Sequence, residues 1–96
     1  MEHEQAEQLL LSTYRERIGS WSSRHMAIGD LQRSAGLPLA VVHEVLSGWA
    51  RSGRAVLEAG YKGWATEEHR AAAIVWEGTS CPYVELPEVT EAALTR

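Results

Sequence analysis

The chain has 96 residues, a formal net charge of −4, 45% hydrophobic residues and 23% charged residues. This length suits a single domain, 1–96, and no apolar run approaches the roughly 20 residues that a membrane-spanning helix needs. The lone cysteine, Cys81, excludes an internal disulfide, so we expect a reducing, cytoplasmic environment and no membrane attachment.

The charges are distributed unevenly along the chain. Residues 1–14 carry −3, residues 15–70 carry +2 and residues 71–96 carry −3. A surface formed by this mildly basic centre could meet a phosphate group favourably. The alternative is an ordinary solvated surface of mixed charge.

The first predicted element is a helix from about Glu4 to Ile18. Its apolar and small residues recur at helical spacing: Ala6, Leu9, Leu10, Thr13, Tyr14 and Ile18. Because residues 9–11 are three consecutive leucines, at least one must lie off the core stripe, and an outward leucine is typical of a partner surface. A homodimer through this helix, the C-terminal segment or both is therefore a hypothesis.

Two consecutive helices joined by a glycine turn are predicted in the centre of the chain. After a loop over 21–24 and a short strand over 26–28, a helix runs from Gly29 or Asp30 to Ala35. Gly36 occupies the position where a left-handed C-cap is favoured.

The next helix is predicted from Pro38, which suits a first helical position, to about Ser52, with Gly53 beyond it. Its apolar stripe consists of Val42, Val45, Leu46 and Trp49.

A β-hairpin is predicted after these helices, with strands over 54–58 and 64–66 and two glycines in the turn. Thr66 followed by two glutamates predicts the start of another helix. Residues 67–76 leave two alternatives open: a short helix to about Ala72 and then a strand over 74–76, or one continuous helix to Trp76. Another strand is predicted over 82–86, and in the first alternative it forms a hairpin with 74–76. One or two helical turns are predicted over 88–94.

The following segments combine spaced apolar positions with two glycines, Gly36 and Gly53, that come after predicted helices. They are Ile28-Gly29-Asp30-Leu31, Ala35-Gly36-Leu37, Val42, Val45-Leu46, Trp49, Gly53-Arg54-Ala55-Val56-Leu57 and Trp64-Ala65-Thr66. The pattern resembles the winged helix-turn-helix superfamily, without identifying a subfamily. The resemblance implies an α+β, mainly α fold: a three-helix core plus β-hairpin wing over about 4–66, with a short C-terminal helix and β-hairpin extension over 67–96.

The resemblance also implies a function as a small DNA-binding transcriptional regulator. In DNA-binding members the second helix of the motif enters the major groove. Double-stranded DNA is then the expected partner, contacted by Arg33, Ala40, His43, Glu44, Ser47, Arg51, Arg54, Tyr61 and Lys62. Few side chains on this helix face are suited to recognising bases, because it has no Asn or Gln and its one arginine lies near the helix end. The alternative is a winged helix that binds a protein instead, which the small and acidic residues on that helix favour.

No residue pattern in the chain predicts catalysis or a metal site. The four histidines, at positions 3, 25, 43 and 69, are not paired at i+3 or i+4 spacing, and there is no Cys-x-x-Cys. No Gly-rich phosphate loop follows a strand. We therefore expect a protein that is not an enzyme and needs no cofactor.

Overall fold

The computed structural model describes residues 3–18, 25–60 and 65–94, with side chains as far as residue 91. The helices are α1 (His3–Ile18), α2 (Ile28–Ala35), α3 (Leu39–Arg51), α4 (Glu67–Ala71) and α5 (Pro87–Leu94). The strands are β1 (Met26–Ala27), β2 (Val56–Glu58), β3 (Ile74–Trp76), β4 (Thr79–Cys81) and β5 (Tyr83–Glu85). The fold is thus mixed α+β and mainly helical. Among the described helices, none is long and apolar enough to cross a membrane.

The first three predicted helices are confirmed to within one or two residues at each end. Gly36 adopts the left-handed conformation at φ 70°, and its N–H donates to the Gln32 carbonyl at 3.0 Å. Pro38 is the N-cap of α3 rather than its first residue. The predicted loop over 21–24 lies outside the described residues.

The central strand of the sheet is β5, which pairs antiparallel with β1 on one side and β2 on the other. Val84 lies opposite Met26 and Leu57. The predicted pairing of 54–58 with 64–66 is therefore wrong. Residues 65 and 66 lie outside the strands, Trp64 lies outside the described residues, and the partner of β2 comes from much later in the chain.

Residues 59–82, here called the insertion, separate β2 from β5 and contain α4, β3 and β4. Of the two alternatives for 67–76, a short helix followed by a strand is confirmed. The partner of β3 is β4, not the strand predicted over 82–86. Glu77 and Gly78 join β3 to β4 with φ values of 50° and 81°, and such paired positive angles match the right-handed twist of a tight hairpin.

One cluster of buried apolar side chains joins both halves of the chain. Leu10 and Tyr14 of α1 belong to it together with Val84, Leu86 and Val89. Residues predicted to form a C-terminal extension therefore supply the middle of the sheet and part of the core. In α1, Leu9 is 38% exposed and Leu10 is fully buried, which confirms that one leucine lies off the core stripe. The homodimer stays a prediction.

Tyr14 is fully buried, and its hydroxyl accepts a hydrogen bond from the Leu86 backbone N–H at 3.2 Å. We expect Tyr14→Phe to lower the free energy of unfolding by about 1–2 kcal/mol, because the Leu86 N–H loses this acceptor.

Burial raises the pKa of Tyr14 above its ordinary value of 10.0, with the Leu86 bond opposing and Glu85 adding to the increase. A raised pKa makes the phenol contribute stability that is complete below pH 10.0 and lost as the pH rises through the folded-state pKa. Urea denaturation from about pH 8 to about pH 11 should show this alkaline loss in the wild type and a smaller loss in Tyr14→Phe.

Cys81 also titrates in the alkaline range, because burial, and to a smaller extent Glu58, raise the pKa of its thiol. The comparison is therefore best made in a Cys81→Ala background. An alkaline loss of the same size with and without the Tyr14 hydroxyl would show that this phenol is not its source.

Candidate nucleic-acid interface

Helix α3 has two opposite faces. Its buried stripe is the predicted one: Val42, Val45, Leu46 and Trp49. On the other side, Ala40, Glu44 and Arg51 are exposed and Ser47 is half-buried. These four residues recur at helical spacing, so they form one stripe along the helix. A Cβ built on neighbouring Gly48 meets nothing within 4 Å, so a partner can approach this side of the helix closely.

His43, predicted on the outward face, lies instead at the flank of α3 that borders the insertion. It is half-buried, and its Nε2 lies 2.8 Å from the backbone oxygen of Ala72. Because a carbonyl oxygen only accepts, Nε2 carries the hydrogen in this contact. His43 therefore links α3 to the residue that follows α4.

Arg33, a predicted phosphate contact, is held by two carboxylates. Its Nη2 donates to Asp30 within α2, and its Nη1 lies 3.7 Å from the Glu68 carboxylate on α4. Helix α4 lies close against α2, since a Cβ built on Gly29 would be only 3.2 Å from the Ala72 Cβ.

Arg54 follows α3, and its side chain is held at the C-terminal end of that helix. Its guanidinium carbon lies 4.9 Å from the centroid of the Trp49 ring, a cation–π distance. One Nη also lies 3.2 Å from the Glu88 carboxylate. Arg51 is exposed too, but the described part of the chain provides no ion-pair partner for it.

The nine predicted contact residues therefore separate into three groups. Four lie together on the exposed stripe of α3, while three (Arg33, His43 and Arg54) are bound by other parts of the chain. Tyr61 and Lys62 lie outside the described residues. The sequence reasoning missed the acceptors Glu68, Ala72 and Glu88, because each lies about thirty residues from its partner and no local pattern connects the two.

The acidic outer side of the β1-β5-β2 sheet is the other polar cluster of note. Nε2 of His25 lies 3.7 Å from a carboxylate oxygen of Glu58 and 3.7 Å from one of Glu85. Over residues 3–18, 25–60 and 65–94, no group of three or more His, Cys, Asp or Glu side chains is arranged to hold a metal ion. Comparisons of the chain with protein-family models, with characterised proteins and with solved structures find no match.

Proposed function

We propose that this chain is a winged helix-turn-helix domain that binds double-stranded DNA through α3. The arrangement of the described elements supports the proposal. Helices α1, α2 and α3 pack on one another. Strands β2 and β5 both follow α3 in the chain and pair with each other, and on this proposal they correspond to the strands of a wing. The insertion then connects the two wing strands along the chain.

The observation that carries the proposal is the exposed stripe of α3. Ala40 and Ser47 are small enough to let the helix backbone approach the floor of a major groove. Arg51 ends the stripe with an exposed guanidinium, which can bind a phosphate or the acceptor edge of guanine. Arg54 lies just beyond it and extends the positive charge at this end of the helix.

The ion pairs of Arg33 and Arg54 do not exclude contacts from these residues to phosphate. Both side chains are partly exposed, at 55% and 42%. Exposed ion pairs contribute at most about 1 kcal/mol, so a phosphate oxygen can replace a carboxylate at small cost. Arg54 would remain oriented by its stacking on the Trp49 ring.

Arg51→Ala should weaken binding to random-sequence duplex DNA by roughly fivefold, because one charge-assisted phosphate contact is lost. The slope of log K against log salt should also fall by about 0.9 in magnitude. Fluorescence anisotropy at several salt concentrations measures both quantities. Arg15→Ala is the matched control: it removes the same charge from an exposed position on α1, outside the stripe, and should leave the slope unchanged.

A second candidate is a winged helix that binds a protein. It is favoured by one specific observation: Glu44 lies in the middle of the α3 stripe, between Ala40 and Ser47, where it would repel phosphate. On this alternative neither arginine variant changes DNA binding, because the wild type does not bind DNA even at low salt. Glu44→Ala and Ser47→Ala would instead weaken the binding of a protein partner.

A further inference from the structure

The side chains of helix α4 contact α2 through polar groups, whereas the close packing against Gly29 comes from Ala72, the residue after the helix. None of its five residues is buried. Glu68 reaches Arg33 at 3.7 Å, and Nε2 of His69 lies 3.8 Å from the Asp30 carboxylate. The acidic first turn of α4 therefore lies beside a cation of the helix-turn-helix.

The two ends of the Arg33 guanidinium are bound differently. Nη2 is bound to Asp30 within the same helix, whereas Nη1 faces Glu68 across to α4. If Glu68 were neutral, Asp30 would still orient the guanidinium. The Nη1 hydrogens would then be available to a phosphate oxygen, in a side chain already positioned to donate them.

We propose that Glu68 competes with DNA phosphate for the Nη1 donors of Arg33, so that the insertion lowers the DNA affinity of the domain. This inference rests on the proposed DNA-binding function. It assigns to Glu68 control over how often Arg33 on α2 makes a phosphate contact beside those of α3. The competition is local: Glu68 is 79% exposed and Arg33 is 55% exposed, so both groups can exchange partners without a change in the core.

The chain offers a matched control at the preceding position. Glu67 is also exposed and also lies in the first turn of α4, but it forms no ion pair within the described residues. Glu67→Gln and Glu68→Gln change the net charge and the helix-dipole interaction alike. Only the second removes the carboxylate that faces Nη1 of Arg33.

The test is the anisotropy titration of a fluorescent random-sequence duplex by wild type, Glu67→Gln and Glu68→Gln. Glu68→Gln should bind about threefold more tightly than Glu67→Gln. Its salt slope should be steeper by up to about 0.9, the value for one added phosphate contact. In an Arg33→Ala background the two glutamine variants should bind alike. Circular dichroism of each variant establishes that the helical content is unchanged.

The possible failures are distinguishable. If both glutamine variants bind DNA with the same affinity and salt slope, DNA binding stands and the role of Glu68 is overturned. That role is also overturned if the difference between the two variants persists without the Arg33 side chain. If neither variant nor the wild type binds at low salt, the proposed function itself is overturned, and the inference with it.

Discussion

Gly60→Ala is expected to lower the free energy of unfolding by about 3 kcal/mol, the sum of left-handed strain and overpacking. Gly60 has φ 75°, a conformation that L side chains rarely adopt. A Cβ at this position would also lie 2.6 Å from the Cε2 atom of Tyr83, so the ring would have to move. Urea denaturation of the wild type and the variant measures the difference.

Gly53→Ala separates the two parts of that effect. Gly53 has a similar φ of 83°, but a Cβ there meets nothing within 4 Å. Its replacement should therefore cost only the backbone strain, about 1 kcal/mol. In a Tyr83→Leu background, which removes the ring, the cost of Gly60→Ala should fall toward that of Gly53→Ala. If the two glycine variants are equally destabilised in the wild type, the contact with Tyr83 is not the cause.

The contact between Gly60 and Tyr83 has a consequence for the insertion as a whole. The Tyr83 ring lies against Gly60 at the beginning of the insertion and packs edge-on against the ring of His69, with centroids 5.7 Å apart. One aromatic side chain on the central strand therefore fixes both the entry to the insertion and the helix α4. Displacement of the Tyr83 ring should disturb the contacts between α4 and α2 as well as the sheet.

Elements defined by local patterns can be predicted from the sequence. The limits of α2 and α3 follow from apolar periodicity and from residues next to each helix end, such as Gly36, so a few neighbouring residues determine them. The exposed stripe of α3 follows from the same periodicity, because it lies opposite the buried one. The ion pairs of Arg33 and Arg54 depend on carboxylates brought from distant positions by the tertiary fold. The sequence therefore predicts which side of α3 is exposed, but it does not predict which of the nearby arginines form ion pairs.

The pairing of β2 cannot be predicted by the same means. Residues 64–66, 74–76 and 83–86 are all short segments containing apolar residues, and each is compatible with a strand. Because sequential strands usually pair, the sequence favours the nearest of them. The outcome depends on which of these segments places an apolar side chain in the core, and this is a property of the assembled structure. In the structure that residue is Val84, which is 0% exposed.

Val84→Ala tests this assignment and should lower the free energy of unfolding by about 2–3 kcal/mol, from lost burial of two methyl groups and the cavity that remains. Val75→Ala is the matched control: the same substitution, in another short strand, at a side chain that is 72% exposed. It should change stability by less than about 0.5 kcal/mol. Urea denaturation of both variants gives the two values. Equal slopes of the free energy of unfolding against urea concentration would confirm that the variants expose the same surface on unfolding. Similar losses in both would contradict the burial of Val84 in the core, because only a buried side chain loses packing contacts and leaves a cavity when it is truncated.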